Sequence, residues 1–530
     1  MWTFWVFGVA WMLAREASAV ESPVAPGDAK IPASLHLDHR GQPSRIQSSG
    51  PAVDCREVGK INISRRCPFI HNNPDCQMDG GFLNYLNGAF CVFPAALQPL
   101  VVTLYALWLL YLFVILGVTA EKFFCPNLSA ISTKLKLAHN VAGVTFLAFG
   151  NGAPDVFSAV VAFSDPRTAG LAIGALFGAG IFVTTIVAGG IALVRPFTAA
   201  SRPFLRDAIF YMVAVFLTFV ALYFEEVTLA EALREEYRPL LPSEESTLQI
   251  LAHSVNPLDY RTWRRKPCYW RLLKVCKLPV EFVLLLTVPV VDPDREDQNW
   301  KRPLNCLHLL TGPLVCILTL KSGAYGLYKI QGVFPVWGLV IITGAALAIV
   351  VFCTTRNEDP PRYHWFFAFL GFLVSAMWIN ATATEVVNIL RTLGVIFRLS
   401  NTVLGLTLLA WGNSIGDTFS DLTMARQGYP RMAFSACFGG IIFNMLVGVG
   451  LGCLLQMTNS KLVVRLESDG LLVWILAGAL GLSLVVSFLS VPAQCFHLGQ
   501  GYGCCLIVFY LVFLTVALLT EFRVIRLSAV

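Results

Sequence analysis

Eleven stretches of about 20 mainly apolar residues run through the chain, near 98–118, 140–163, 168–194, 205–224, 304–326, 333–353, 364–390, 400–422, 431–455, 471–490 and 502–520. In a bilayer each backbone N–H and C=O must be bonded within the protein, so runs of this length fold as spanning helices. The expected fold class is an all-α polytopic membrane protein. Only 14% of the 530 residues are charged, against about 25% in a soluble domain. A twelfth apolar run, Leu278–Val291, is 14 residues long and too short to place by length.

The ends of these runs set the remaining boundaries. Residues 1–20 have an apolar core followed by Ala17-Ser18-Ala19, in the manner of a secretory signal or other targeting segment, with Arg15 as the one basic residue. The polar segment 21–94 holds the glycosylation pattern Asn62-Ile63-Ser64. It also holds Cys55, Cys67, Cys76 and Cys91, which form two disulfides in an oxidising compartment or remain four thiols. The net charge of +6 is concentrated in YRTWRRKPCYWRLLKVCK, 260–277. This reads as a loop on the negative side of the bilayer with its aromatics at the interface, and as a docking place for anionic lipid. No feature points to nucleic acid.

The constraint on function is a duplication. GVTFLAFGNGAPDVFS (143–158) aligns without gaps on GLTLLAWGNSIGDTFS (405–420), with nine of sixteen positions identical, including Asn151/Asn413, Asp155/Asp417 and Ser158/Ser420. After a one-residue shift, FGAGIFV (177–183) continues the match onto FGGIIFN (438–444). A carboxylate at membrane depth costs a few kcal/mol, so two of them at equivalent places point to a shared site. Interrupted hydrophobic segments paired between two halves mark the midplane site of a transporter. Gly150, Gly152 and Pro154, and Gly412 and Gly416, are expected to break the two motif helices and free backbone carbonyls. Asn151, Asp155, Asn413, Ser414 and Asp417 then form the ion site, with Ser158, Ser420, Asp421 and Asn444 as accessory ligands. A cage of carboxylate, amide, hydroxyl and carbonyl oxygens suits a hard cation such as Ca²⁺. No resident cofactor is expected; the ions are cargo.

On these residues the chain resembles the calcium/cation antiporter superfamily, and within it the mitochondrial, lithium-permeable sodium/calcium exchangers, with GNGAPD (150–155) and GNSIGD (412–417) as the motif pair. The resemblance spans nearly all of 95–522. It implies two inverted-topology repeats of about five helices each, alternating access, exchange of Ca²⁺ for Na⁺ or Li⁺, and location in the mitochondrial inner membrane. The signal-like N-terminus leaves the endoplasmic reticulum or plasma membrane as alternatives. The repeats fall at 95–224 and 364–522, separated by a charged loop with one short apolar run at 225–303 and extra helices at 304–353. Wider relatives carry glutamate in the motif and a Gly-Ser-Asn stretch on the third helix. This chain has aspartates, and Gly178-Ala179-Gly180 and Gly439-Gly440-Ile441, so fewer sodium ligands and no three-sodium stoichiometry are expected.

The first repeat also has four long runs where the second has five, because EEVTLAEALREEYRPLLPSEES (225–246) is too acidic to cross. Antiparallel motif helices need an odd number of crossings between them. Either Leu278–Val291 crosses, or the chain is a form lacking one helix.

Other readings rank lower. Proton/calcium exchange uses the same site. An intramembrane aspartyl protease would want Tyr-Asp and Gly-x-Gly-Asp, whereas Pro154 precedes Asp155 and Ser414 replaces the first glycine. A calcium channel would need no counter-ion. DPDRED (292–297) lacks the glycine and glutamate of an EF-hand loop and reads as linker. His364 and His497 read as packing or interface residues.

Overall fold

The computed structural model describes residues 54–77, 80–135, 148–164, 166–199, 201–224, 268–292, 298–320, 324–330, 334–356, 360–427, 430–459 and 471–522. Residues 1–53 and 225–267, which hold the targeting segment, the acidic run and most of the basic cluster, lie outside this set, as does most of 292–297.

After a short helix α1 (Ile63–Asn72), the described chain forms twelve long helices. Helix α2 runs through Gln98–Thr119, a π-helical Ala120–Phe124, and Cys125–Lys134; α3 is Ala148–Ser164. Helix α4 joins Ala169–Phe182, a π-helical Val183–Val187 and Ala188–Val194, and α5 is Ser201–Phe224. Then come α6 (Cys268–Thr287), α7 (Arg302–Thr319), α8 (Val336–Thr354) and α9 (Trp365–Phe397). Helix α10 comprises Asn401–Leu404, a π-helical Gly405–Leu409 and Ala410–Gln427; α11 is Pro430–Asn459, α12 Leu471–Ala493 and α13 Gln500–Glu521. Seven of the described helices are long and apolar enough to cross a membrane by length and composition.

The repeats interlock through glycine. A Cβ on Gly174 would lie 2.3 Å from the Thr402 carbonyl, and one on Gly178 would lie 2.6 Å from Leu406 Cα. Small residues that allow backbone to touch backbone are how helices associate where lipid competes for every apolar surface. The register carries topology. Along α4, positions 174 and 178 meet 402 and 406, so α4 runs parallel to the start of α10. Along α3, Gly152 meets Asn444 and Ala159 meets Gly448, so α3 runs parallel to α11. Two residues separate α10 from α11, and these packed helices run in opposite directions. The motif helices α3 and α10 are therefore antiparallel, as an inverted repeat requires.

From α3 to α10 is seven helix steps when α6 is counted, an odd number. Residues 278–287 of the short apolar run belong to α6, and 288–291 follow its end. Its buried face, Val280 and Leu284, packs with Val118 and Phe123 of α2 and Val374 of α9. Buried Glu281 pairs with Lys122 at 2.6 Å and also with Lys274.

Residues 54–97 form a cap stapled by disulfides Cys55–Cys76 and Cys67–Cys91. The cap is anchored on one polar stripe of α9. Tyr85 donates its hydroxyl to Glu385 at 2.6 Å, and the Phe82 N–H donates to the same carboxylate at 2.5 Å. Asn388 donates to the Gly80 carbonyl, and Arg391 to the carbonyls of Asp75 and Gln77. Arg167, between α3 and α4, donates to Pro74 and Gln77. Asn62 is exposed and makes no side-chain capping bond at the start of α1. His364, buried between Trp300 and Phe367, bonds the Gln298 carbonyl at 3.1 Å, which is a packing role.

Replacing Glu385 by Leu strands the Tyr85 hydroxyl and the Phe82 N–H. We expect a loss of about 2–4 kcal/mol, read as a lower melting temperature and faster proteolysis within 54–97. Tyr85→Phe should cost about 1 kcal/mol by the same assay.

Candidate cation site

Asp155 is the eighth residue of α3, and Asp417 is the eighth residue of the Ala410–Gln427 segment of α10. Asp155 is buried and accepts a 2.9 Å hydrogen bond from Asn444 Nδ2 on α11. Asp417 is half-buried and close enough to Asp155 and Asp421 to feel both charges. Asn413 points across the repeat boundary, its Nδ2 lying 3.5 Å from the Pro154 carbonyl. The two motifs therefore meet, and the first is reached by two amides from the second half of the chain, Asn413 and Asn444.

The chemical content lies in what is left unpaired. Among the described residues, Ser158 Oγ, Asn413 Oδ1, Ser414 Oγ and Asn444 Oδ1 are buried oxygens without a hydrogen-bond partner. A buried polar group left unpaired costs about 1–3 kcal/mol. Four together, beside two carboxylates, form an all-oxygen donor set of the kind a hard cation binds. Among the described residues no imidazole joins it. Asp421, one turn beyond Asp417, is buried and accepts from the Cys437 thiol at 3.5 Å; its counterpart in the first repeat is Ala159. The side chains of Asn151 and Ser420 lie outside the described set.

One expectation is corrected. The motif helices are not broken: α3 is α-helical through Gly150, Gly152 and Pro154, and the Ala410–Gln427 segment is α-helical through Gly412 and Gly416. Pro154 lies on the second turn of the described helix, and the carbonyl it deprives of an N–H is the one four residues back, that of Gly150. The irregular turn on α10 is a π-helical stretch one turn upstream, Gly405–Leu409. The glycines serve close approach instead. A Cβ on Gly152 would fall 1.8 Å from Asn444 Oδ1, and one on Gly412 would fall 2.2 Å from the Phe113 ring; Gly416 has open space around it. The sequence alignment sets Gly152 opposite Ser414 and Asn444 opposite Val183. The first motif helix gives up a side chain where α11 supplies an amide, and the second keeps a hydroxyl where α4 supplies only Val183.

Sequence reasoning named Asn444 but gave no partner for it. It missed Glu385, Asn388 and Arg391, whose i, i+3, i+6 spacing inside an apolar helix was the available signal.

Gly152→Ala should displace Asn444 and lower the melting temperature. Adding Asn444→Ala should recover much of that loss, a non-additive pair with coupling of about 1–3 kcal/mol. Additive losses would show that the two residues do not share this space.

The sequence signature of the family described as "Sodium/calcium exchanger protein" matches residues 105–234 and 367–519. Among curated relatives, the "Mitochondrial sodium/calcium exchanger protein" of Gallus gallus is 70% identical over 544 residues, covering 90% of this chain and 92% of its own length. The Homo sapiens protein of the same name is 65% identical over 535 residues, covering 90% of this chain and 92% of its own. Two matches to one family signature, each holding one aspartate of the pair, and relatives this similar over nine-tenths of the chain establish that it belongs to the sodium/calcium exchanger family.

Proposed function

We propose that the chain is a secondary active antiporter that exchanges Ca²⁺ for Na⁺ by alternating access. The observation that carries this reading is the set of unpaired buried oxygens around Asp155 and Asp417 on antiparallel helices. Asp155 and Asp417 hold the ion by charge. Asn413, Ser414, Asn444 and Ser158 complete its shell, with Asn151 and Ser420 as further ligands, and Asp421 lies outside the first pair on the same helix.

Charge balance explains exchange rather than leak. Ca²⁺ neutralises the two carboxylates. Without a cation, both would stand bare in an apolar interior, which is costly. The return step then needs about two monovalent charges. Sodium supplies them through the amide and hydroxyl oxygens, as the printed names of the relatives support. Lithium is small and hard enough for the same donors. Proton exchange is the second reading, favoured by the missing side-chain oxygens at Ala179 and Gly440, since protons need only the carboxylates.

We place the chain in the mitochondrial inner membrane, in line with the names of those relatives. The disulfide-stapled cap then faces the intermembrane space, an oxidising side. The basic residues of 260–277 are proposed to contact anionic lipid. On this reading Asn62, though exposed, carries no glycan. Peptide N-glycosidase should leave the protein's mobility unchanged, and a shift would place the chain in the secretory pathway.

Asp155→Asn and Asp417→Asn should each reduce Ca²⁺ flux in proteoliposomes at least about 100-fold while leaving the melting temperature nearly unchanged, since a charged site loses half its charge. Ser414→Ala should weaken apparent Ca²⁺ affinity about 3–10-fold. Flux is measured under separate Na⁺, Li⁺ and pH gradients. Ca²⁺ efflux driven by a pH gradient alone, with no added effect of sodium, would replace sodium coupling with proton coupling.

A further inference from the structure

The two disulfides of the cap lie in different surroundings. Cys55 and Cys76 are each 2% exposed, inside an apolar cluster with Val58, Ile70, Leu86 and Val395. Burial closes that pair to reductants and metal ions. Cys67 and Cys91 are half-buried, and exposed His71 stands beside them. His71 Nε2 lies 3.9 Å from Cys91 Sγ, and among the described residues the ring has no other polar partner.

The chain places these three side chains with little freedom. Cys67 and His71 are four residues apart on α1 and so share one face of it. Cys91 comes from the π-helical turn Gly88–Val92. Apolar anchors hold both stretches: Ile70, next to His71, is buried, and Phe69 and Phe90 pack on the same cluster.

The two sulfurs and the ring nitrogen lie within 4.8 Å of one another. A tetrahedral Zn²⁺, with Zn–S about 2.3 Å and Zn–N about 2.0–2.1 Å, sets its donor atoms about 3.6–3.8 Å apart. The separation of Cys91 and His71 is already close to that edge. The two sulfurs, once no longer bonded, need to part by about 1.7 Å. Side-chain rotation supplies that movement with both backbones in place.

We infer that Cys67, His71 and Cys91 form a zinc site when their disulfide is reduced, so that the cap exchanges a covalent staple for a metal one. The reductant is a dithiol. One of its thiolates attacks Cys91 Sγ, the bond to Cys67 breaks, and Cys67 leaves as a thiolate that takes up a proton. The second thiol of the reductant then displaces Cys91, which is protonated in turn, and the reductant ends as a disulfide. Two electrons and two protons have passed to the cap. Zn²⁺ binds both sulfurs as thiolates and releases those two protons to water, with His71 Nε2 as third ligand and water as fourth. The donors set the cation: two thiolates and an imidazole favour Zn²⁺ over Ca²⁺, the reverse of the oxygen set around Asp155 and Asp417. With either staple, α1 stays fastened to the 88–92 turn, which follows Tyr85 and its bond to Glu385 of α9.

The test reads metal binding to the cap and is independent of transport. The full chain in detergent is reduced with a water-soluble phosphine, freed of it without oxygen, and titrated with Zn²⁺ or Co²⁺ in excess Ca²⁺. The reduced protein should bind one more Zn²⁺ than the oxidised protein, at about micromolar concentration or below. Co²⁺ should give a thiolate charge-transfer band in the reduced protein alone. Bound Zn²⁺ should also slow proteolysis within 54–97 in the reduced protein. His71→Ala keeps the disulfide, so its oxidised form should match the parent in elution and melting temperature. Reduced, it should bind the added Zn²⁺ at least about tenfold more weakly. The paired change Cys67→Ser with Cys91→Ser should remove the added Zn²⁺ altogether. Equal Zn²⁺ uptake by oxidised and reduced protein, uptake indifferent to His71→Ala, or an excess that survives the paired serine change would each overturn the inference. So would binding that saturates only at millimolar Zn²⁺, or a Cys67–Cys91 bond that the reductant leaves intact in the folded protein.

Discussion

Two carboxylates within electrostatic reach of each other inside an apolar bundle are the interaction on which the structure turns. Asp417 lies within electrostatic reach of Asp155 and Asp421, and among the described residues neither Asp155 nor Asp417 has a basic partner. Such a pair is tolerable only when a cation comes and goes as part of the protein's cycle, because removing charge from water without compensation costs several kcal/mol. The four unpaired oxygens add to the same demand. The folded chain is thus organised around a ligand it must release, which is the thermodynamic requirement of a carrier.

Holding that pair in place falls to residues with no side chain. Gly174, Gly178 and Gly405 let α4 lie backbone to backbone on the start of α10, and Gly152 opens the gap that Asn444 fills from α11. Each motif helix is gripped by the third helix of the other repeat. The contact is dispersion at short range, which favours two discrete arrangements over gradual sliding. Exchange between repeats also means that neither half contains a complete site.

The cap adds a second cross-repeat tie. Gln77 accepts from Arg391 on α9 and from Arg167 between α3 and α4, so one carbonyl links the two halves, with the Cys55–Cys76 disulfide next to it in sequence. These polar residues of α9 read as anomalies in an apolar helix until their partners in the cap are in view: a hydroxyl and an N–H for Glu385, and backbone carbonyls for Asn388 and Arg391.

The sequence by itself determined the class, the duplication and the two aspartates, because apolar run length, ungapped identity and the cost of charge in lipid are local quantities. It also determined the four cysteines of the cap but not their pairing. Tertiary structure alone decided how the glycines act. Locally, Gly150 to Pro154 reads as a helix break; in three dimensions the helix persists and Gly152 makes room for Asn444, since close approach depends on a neighbour 292 residues away. The same holds for Ser158, which the sequence marked as accessory and burial left unpaired among the site oxygens. It holds also for the short run Leu278–Val291, whose charged flank, Lys274 to Glu281, joins the helix once Glu281 gains Lys122 from α2. Run length cannot foresee a salt bridge supplied by another helix.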